Sequence, residues 1–144
     1  MKFVFVDTWG WCALVNEAQI EHIEVAALFQ EFVDKGTVLV TTNFILDESY
    51  TLIRIRIHHR AAVEFHDLLQ ALIGDKYVKQ VQVTPEIEQK AWEIFERYAD
   101  KDFSYTDCTS FAVMQLFKIT HAITEDHHFK QMGFQTVMKK SEIS

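Results

Sequence analysis

Turn-forming residues are scarce in this chain, which has one proline and four glycines among its 144 residues. Because proline and glycine mark most turns and irregular segments, their scarcity leaves little room for long loops. The two cysteines, Cys12 and Cys108, lie far apart and form no CxxC motif. This spacing argues against a disulfide framework and predicts buried free thiols in a reducing compartment.

Long apolar runs and an excess of positive charge are also missing. No run approaches the roughly 18 apolar residues that a membrane helix requires. The apolar start of the chain is too short for a signal-peptide core and Asp7 interrupts it, so we expect a cytoplasmic protein with no membrane partner. The net charge of −7 argues against a protein that simply coats DNA. It argues less against a metal-dependent nuclease, whose own acids carry negative charge until cations bind.

Several signatures of known catalytic sites are absent. The chain has no HExxH, Walker A, GxSxG or GxGxxG motif. The segment that begins at Asp7 lacks the second acid of a DxD phosphatase. Glu125 and His128 have the ExxH spacing of di-iron bundle proteins, but those sites need two such motifs on long helices. We therefore discount these chemistries.

What the chain does contain is a regular alternation of strand and helix patterns. Hydrophobic residues make up 49% and charged residues 24%, a composition typical of globular proteins. The alternation predicts one α/β domain over residues 1–144, built on a parallel sheet. Predicted strands cover residues 3–6, 37–42, 76–83, 119–124 and 136–139, and predicted helices cover residues 8–15, 20–35, 43–57, 60–73, 85–98, 107 to about 118 and 127–132.

Three local details are predicted within these elements. Asn43 is a candidate cap of the third helix, since asparagine often fills that role. On the fifth helix, Trp92 and Phe95 are expected to face inward with their apolar neighbours. Ser104 and Asp107 have the spacing of a capping box, with aspartate in place of the usual glutamate.

Two acids close predicted strands. Asp7 directly follows the apolar run FVFV, and Asp126 follows the strand ITHAIT after Glu125. A buried parallel strand presents its carboxyl end to a ligand crevice, so both acids are candidate ligands. The alternative role for Asp7 is that of a helix N-cap, which aspartate often fills.

Two further acids belong to helices that are expected to be buried. Asp107 lies at the start of an almost wholly apolar helix, where the helix dipole favours its ionised form. Glu48 has Phe44, Ile45 and Leu52 among its helical neighbours, so it is expected on or beside the buried stripe. An ion pair with a lysine or arginine of another element is the alternative to metal binding for Glu48.

Together, the four acids predict one metal site. Strand ends and the starts of the following helices share one edge of a parallel α/β sheet, so the four can converge. Carboxylates gathered in this way repel one another, and divalent cations relieve the repulsion. Because oxygen ligands select hard ions, we expect Mg²⁺ or Mn²⁺. Such ions activate water and stabilise charge during phosphoester hydrolysis.

A single basic cluster interrupts this acidic chain. Residues 54–60 read RIRIHHR, and they could contact phosphates. The interpretation that we favour is a solvated helix end whose charges complement the helix dipole.

The four acids stand in four segments of characteristic sequence. These are the initial strand ending in Asp7 and Thr8, ILDESYTLI with Glu48, DFSYTDCTSFAVM with Asp107, and AITEDHHF with Asp126. With these segments in this order, nearly the whole chain resembles a PIN-domain protein. It is most similar in pattern to the VapC-type toxins of bacterial and archaeal toxin–antitoxin pairs.

The resemblance implies a three-layer α/β/α sandwich with a mainly parallel sheet of roughly five strands. It also implies a ribonuclease that depends on Mg²⁺ or Mn²⁺ and hydrolyses phosphodiester bonds of RNA. By position, Asp7, Glu48 and Asp107 would be the main metal ligands, and Asp126 would be a fourth acid of the site.

Further site residues and partners come from the same resemblance. Thr8 and Ser110 match polar positions that commonly line such sites, and Arg54 of the basic cluster is a candidate substrate contact. Members of the family usually form homodimers and are neutralised by a small antitoxin whose tail enters the acidic groove.

Two other functions stay open at this point. One is a non-catalytic interaction protein, in which the acids cap helices and aromatic side chains bind a partner. The other is a nuclease that acts on DNA with the same metal site.

Overall fold

A parallel sheet of five strands forms the centre of the structure, a computed structural model that describes residues 1–137. The strands stand in the order β3-β2-β1-β4-β5, and all four neighbouring pairs are parallel. The predicted α/β fold with a roughly five-stranded parallel sheet is therefore confirmed. The strands are β1 (Phe3–Val6), β2 (Val38–Thr42), β3 (Val78–Val81), β4 (His121–Ile123) and β5 (Gln135–Thr136).

Helices cover both faces of this sheet. Successive residues of β1 point to opposite faces, and Val4, Phe5 and Val6 are all 0% exposed, so neither face of the central strand meets solvent. This arrangement gives the three layers that were expected. Within the described residues the helices are α1 (Thr8–Val15), α2 (His22–Asp34), α3 (Asn43–Arg56), α4 (His59–Gly74), α5 (Pro85–Arg97), α6 (Tyr105–Leu116) and α7 (His127–Gln131).

The strand order places a crevice beside β1. The chain moves from β1 through β2 to β3 on one side, and later adds β4 and β5 on the other side. Open parallel sheets bind ligands at such a reversal, outside the carboxyl ends of the strands. The register pairs Val6 with Ile123, so the residues that follow β1 and β4 emerge side by side.

Helix α1 approaches the sheet closely at Gly10. A Cβ atom at this position would lie 2.8 Å from Val6 Cγ1 and 3.0 Å from the Ile123 carbonyl oxygen. Glycine therefore allows the start of α1 to pack directly against β1 and β4. This packing holds the loop between β1 and α1, which carries Asp7, against the end of β4.

Two of the predicted local details are wrong. The side chain that caps α3 is Thr42, which accepts a hydrogen bond from the Ile45 amide, whereas Asn43 Oδ1 accepts one from the Val83 amide at 2.7 Å. Threonine takes this role because its extended backbone precedes the first helical turn. Asn43 is already inside the helix and links α3 to the segment after β3.

The inward orientation expected on α5 is also corrected. Trp92 is 49% exposed and Phe95 is 41% exposed, and their rings stack with centroids 5.6 Å apart. The buried stripe of α5 consists of Ile87, Ala91 and Ile94. Because each residue turns the helix by about 100°, Trp92 and Phe95 lie on the flank of that stripe.

The final predicted strand is only partly observed. β5 spans Gln135–Thr136, and residues 138 and 139 of the predicted strand lie outside the described residues. Among the described residues, no helix combines the length and apolar character needed to cross a bilayer.

Candidate metal centre

One pocket at the carboxyl edge of the sheet brings together all four predicted acids. Asp7, Glu48, Asp107 and Asp126 line a cavity of about 440 Å³. They reach it from the end of β1, from the middle of α3, from the first turn of α6 and from the segment between β4 and α7. The pocket therefore collects carboxylates from segments that are up to 119 residues apart in the sequence.

Asp7 is the buried acid of this pocket, with 7% of its surface exposed. Its carboxylate accepts hydrogen bonds from the Gly10 amide at 3.1 Å and from the Thr124 hydroxyl. Burial is the largest influence and raises the pKa of Asp7 to about 7; the two hydrogen bonds oppose this rise, and the charges of Asp126 and Asp107 add to it. Asp7 also caps α1, so the capping role and the position in the pocket coexist.

Glu48 is exposed and lies beside the buried stripe of α3, which is one of the two positions expected for it. The buried residues of α3 near it are Ile45 and Ser49, and Glu48 lies at the edge of this face. The Thr8 hydroxyl donates a hydrogen bond of 2.5 Å to Glu48 Oε1 and holds the carboxylate at the pocket. Within residues 1–137 no lysine or arginine pairs with Glu48, so the alternative ion pair is not formed there.

Asp107 is half-buried at the start of α6. The predicted capping box is present, because Ser104 Oγ accepts from the Asp107 amide at 2.9 Å and Asp107 Oδ2 accepts from the Ser104 amide at 3.1 Å. Burial is the largest influence and raises the pKa of Asp107, with a further rise from Asp126. The hydrogen bond to Ser104 and the neighbouring His128 oppose this rise.

Asp126 caps the short helix α7 and shares a histidine with Asp107. Its Oδ1 accepts from the His128 amide at 2.9 Å. The Nδ1 atom of His128 lies 3.0 Å from Asp126 Oδ1 and 3.0 Å from Asp107 Oδ2. An imidazole with its proton on Nδ1 therefore donates to Asp107 Oδ2, and the ring lies between the two carboxylates.

The sequence interpretation did not assign this role to His128. The sequence did hold one signal for the contact with Asp126. An aspartate that caps a helix accepts a hydrogen bond from the amide two positions later, so a cap at Asp126 places His128 close to its carboxylate. The partnership with Asp107 carries no local signal, because 21 residues separate the two.

The other predicted site residues are placed differently. Thr8 lines the acidic pocket, as described above. Ser110 is fully buried and donates to the Thr106 carbonyl oxygen at 3.2 Å, so it supports α6 internally and does not line the pocket. Arg54 lines a separate groove beside Tyr50 and His66.

Arg56, rather than Arg54, lines the acidic pocket. The two arginines are two positions apart on α3. Because each residue turns the helix by about 100°, their side chains lie about 200° apart around the axis. A cluster of basic residues in the sequence therefore splits between the two flanks of the helix. The position of Arg56 follows from the helical spacing to Glu48 and Leu52, which line the same pocket.

A more compact group of possible ligands lies at the rim of the pocket. Among the described residues, Asp126, His127 and His128 have ligand atoms within 4.8 Å of one another. The His127 side chain is 73% exposed, and the Nδ1 atom of His128 already lies between two carboxylates. Imidazole nitrogens also favour softer ions than Mg²⁺, so the four carboxylates fit a hard cation better than this rim group does.

The fold and the site together define a class: α/β proteins with a parallel sheet and a cluster of acids at the carboxyl edge of its central strands. Comparison of the sequence with known families shows which family of this class it matches. Residues 4–135 match the PIN domain, and the chain belongs to this family. The predicted family membership is confirmed.

Individual relatives within the family carry VapC names. The chain is 36% identical over 134 residues to the "23S rRNA-specific endonuclease VapC20" of Mycobacterium tuberculosis, covering 93% of this chain and 97% of the relative. It is 28% identical over 116 residues to the "VapC ribonuclease" of Archaeoglobus fulgidus, covering 79% of this chain and 71% of the relative. The predicted similarity to VapC-type proteins is therefore confirmed.

A solved structure supports the same relationship. The crystal structure of M. tuberculosis VapC20, described in its title as a "Sarcin-Ricin loop cleaving toxin", superposes with a TM-score of 0.81 at 36% identity. The superposition covers 94% of this chain and 98% of that chain. The fold is thus shared over nearly the whole length of both proteins.

Proposed function

We propose that this chain is a VapC-type endoribonuclease that hydrolyses phosphodiester bonds of RNA in its acidic pocket with the help of a divalent metal ion. The observation that carries the proposal is the convergence of Asp7, Glu48, Asp107 and Asp126 on one pocket. In a PIN-domain chain whose relatives are named as ribonucleases, this pocket is the natural place for phosphodiester chemistry.

The donor atoms of the pocket fit Mg²⁺ or Mn²⁺. All four acids offer carboxylate oxygens, which hard cations prefer. The raised pKa of the Asp7 carboxyl, about 7, reflects burial and the nearby acids, so a bound cation would stabilise its ionised form. When bound, such an ion lowers the pKa of its water and stabilises the charge on a phosphate under attack.

The protein's own residues orient these carboxylates. The hydroxyls of Thr8 and Thr124 hold Glu48 and Asp7 respectively. His128 contacts the remaining two acids, through its ring Nδ1 to Asp107 and through its backbone amide to Asp126. Hydrogen-bonded partners of this kind reduce the freedom of each ligand, so the pocket can receive an ion with little rearrangement.

The wider biological role is part of the same proposal. We infer that the chain, as one domain of residues 1–144, acts in the cytoplasm as the toxin of a toxin–antitoxin pair. A small antitoxin would neutralise it, and two copies would form a homodimer. These statements rest on the family resemblance and on the VapC names of the relatives.

RNA cleavage by the purified protein tests the proposal. We expect cleavage with Mg²⁺ or Mn²⁺, loss of cleavage with EDTA, and loss of cleavage in the Asp7→Asn variant. Glu48→Gln should lose cleavage as well, and Asp47→Asn, its matched control, should not, since Asp47 is exposed on the same helix and does not line the pocket. Undiminished cutting by the Asp7→Asn protein would exclude this site.

The choice of substrate requires a panel of nucleic acids. It should contain 23S rRNA, because the M. tuberculosis relative is named for that substrate, together with unstructured RNA and single-stranded DNA. Cleavage of RNA but not DNA is expected. Preferential cleavage of DNA would favour the DNA-acting alternative, and absence of both metal binding and cleavage would favour a non-catalytic interaction protein.

A further inference from the structure

Arg56 contributes a positive charge to the mouth of the acidic pocket. It belongs to the last turn of α3, is exposed, and lines the same cavity as the four acids. Within residues 1–137 the ion pairs involve other cations, and no carboxylate lies within ion-pair distance of Arg56. The guanidinium of Arg56 therefore lines the acidic pocket but forms no ion pair with a carboxylate in the described part of the chain.

The lack of such a pair has a geometric reason. Glu48 is the acid on the same helix, but eight residues separate it from Arg56, which corresponds to about 12 Å along the axis. Glu48 is also held by the Thr8 hydroxyl. Asp7, Asp107 and Asp126 likewise have donors of their own, which come from Thr124, Ser104 and His128.

An anion that enters the pocket would meet this free guanidinium. Arginine binds phosphate through two parallel hydrogen bonds, and its planar fork suits this geometry better than lysine does. If the carboxylates face the phosphodiester that is cut, a group roughly two helical turns away faces a different part of the strand. The adjacent phosphate of the same strand has the matching charge.

We propose that Arg56 binds the phosphate that flanks the scissile phosphodiester and so sets the register of the RNA strand in the pocket. This inference rests on the proposed ribonuclease function. It assigns Arg56 to substrate positioning and leaves the chemical step to the acidic residues.

The chain supplies a matched control in Arg54. Both arginines are exposed in the last turn of α3, and neither has an ion-pair partner among the described residues. Arg54 lies on the opposite flank, in the groove with Tyr50 and His66. Arg56→Gln and Arg54→Gln therefore remove the same charge from exposed positions on the same helix. They differ only in the side of α3 from which the charge is removed.

RNA binding is measured first, in the Asp7→Asn background so that the strand is not cut. The probe is a fluorescein-labelled single-stranded RNA, followed by anisotropy at several salt concentrations. Arg56→Gln should weaken binding about tenfold and reduce the salt slope by about 0.7 to 1, the effect of one lost phosphate contact. Arg54→Gln should leave both values within about twofold of the parent.

Two further measurements use chains with Asp7 intact. In cleavage assays, Arg56→Gln should raise KM about tenfold and keep kcat within about threefold, since the lost contact binds substrate and does not act in the chemical step. In a calorimetric Mn²⁺ titration, its affinity should stay within about threefold of the parent, because arginine donates no electron pair to a metal.

The outcomes separate this inference from the function on which it rests. Equal RNA binding by the two arginine variants overturns the role of Arg56, and so does a fall in kcat without a change in KM. A parent protein that neither binds nor cuts RNA overturns the proposed function itself. Weaker binding confined to Arg56→Gln, with Mn²⁺ affinity preserved, supports the proposal.

Discussion

The hydroxyl of Thr124 donates a hydrogen bond to the carboxylate of Asp7, although 117 residues separate the two in the sequence. Asp7 directly follows β1 and Thr124 directly follows β4, and the parallel register brings these strand ends together. The most buried acid of the pocket is thus oriented by a neighbouring strand.

Removal of the Thr124 hydroxyl should weaken metal binding. A hydrogen bond to a carboxylate stabilises its ionised form, so Thr124→Val should raise the pKa of Asp7 above about 7. Mn²⁺ affinity at pH 7 should fall about 10- to 100-fold, the usual effect of losing a residue that orients a ligand. Calorimetric titration measures the change. Thr120→Val, at the exposed start of the β4 segment, should bind Mn²⁺ like the parent.

The metal-free protein should lose stability as the pH rises. Asp7 has a pKa of 3.8 when unfolded and about 7 when folded, so the folded state holds more protons between these values. Asp7 therefore contributes most to the free energy of unfolding below pH 4, where it is protonated in both states. This contribution declines between pH 4 and pH 7, by at most about 4 kcal/mol. The raised pKa of Asp107 acts in the same direction. Melting curves in EDTA from pH 5 to pH 8 measure this decline.

The Asp7→Asn variant provides the corresponding control. Because the amide has no charge to bury, this variant should melt higher than the parent at pH 8 in EDTA and should show a flatter pH profile. Added Mn²⁺ should stabilise the parent and not the variant. A parent profile that rises between pH 5 and pH 8 would contradict the assigned pKa shift.

Gly10 should tolerate no side chain. A Cβ atom there would lie 2.8 Å from Val6 Cγ1 and 3.0 Å from the Ile123 carbonyl oxygen, so Gly10→Ala should cost about 1 to 3 kcal/mol of unfolding free energy. The same change at Gly74, where nothing lies within 4 Å of the new atom, should cause no loss. Urea denaturation measures both. Equal stabilities would show that α1 can move away from the sheet freely.

His128 should matter more than its neighbour His127. His128→Gln removes the donor between Asp107 and Asp126, and we expect cleavage to fall about 10- to 100-fold. His127 is 73% exposed, and His127→Gln should cleave like the parent. If the rim group rather than the carboxylates binds the metal, His127→Gln will also lose Mn²⁺ affinity, and titration of the two variants distinguishes these cases.

Both cysteines should resist modification in the folded protein. Burial is the largest influence on each, and it raises the pKa of Cys12 to about 11 and that of Cys108 to about 11. Since the thiolate is the reactive form, iodoacetamide at pH 8 should label neither residue until denaturant is added. Mass spectrometry of native and unfolded samples checks this. Cys12 lines the acidic pocket, so labelling of Cys12 in native protein would show that the pocket admits the reagent.

The sequence was most informative where a residue's role depends on its immediate neighbours. Asp7 after an apolar strand and Asp107 in a capping box were visible in this way, as was the alternation of strands and helices. Trp92 and Phe95 were placed wrongly because a helical stripe with many apolar residues has no sharp edge in the sequence. For the same reason, the sequence left open whether Glu48 lies on the buried stripe or beside it.

The remaining site features depend on contacts between distant segments. The bond from Thr124 to Asp7 and the bridge from His128 to Asp107 exist only after the sheet has assembled, so no local pattern announces them. The choice of Arg56 over Arg54 is different, because the sequence held a signal for it. Arg56 lies four residues after Leu52 and eight after Glu48, so it is on the side of α3 that carries Glu48, whereas Arg54 lies about 200° away from Arg56 around the helix.

The parallel pairing of β1 with β4 also sets when the pocket can exist during synthesis. Asp7 is made before its hydroxyl partner, because Thr124, which follows β4, comes 117 residues later in the chain. Long-range parallel pairing is slow because the intervening chain must be ordered first. Until β4 and the segment after it emerge, Asp7 lacks its hydroxyl partner and the pocket lacks Asp126. The acidic site of the proposed ribonuclease therefore cannot be complete until these segments have left the ribosome.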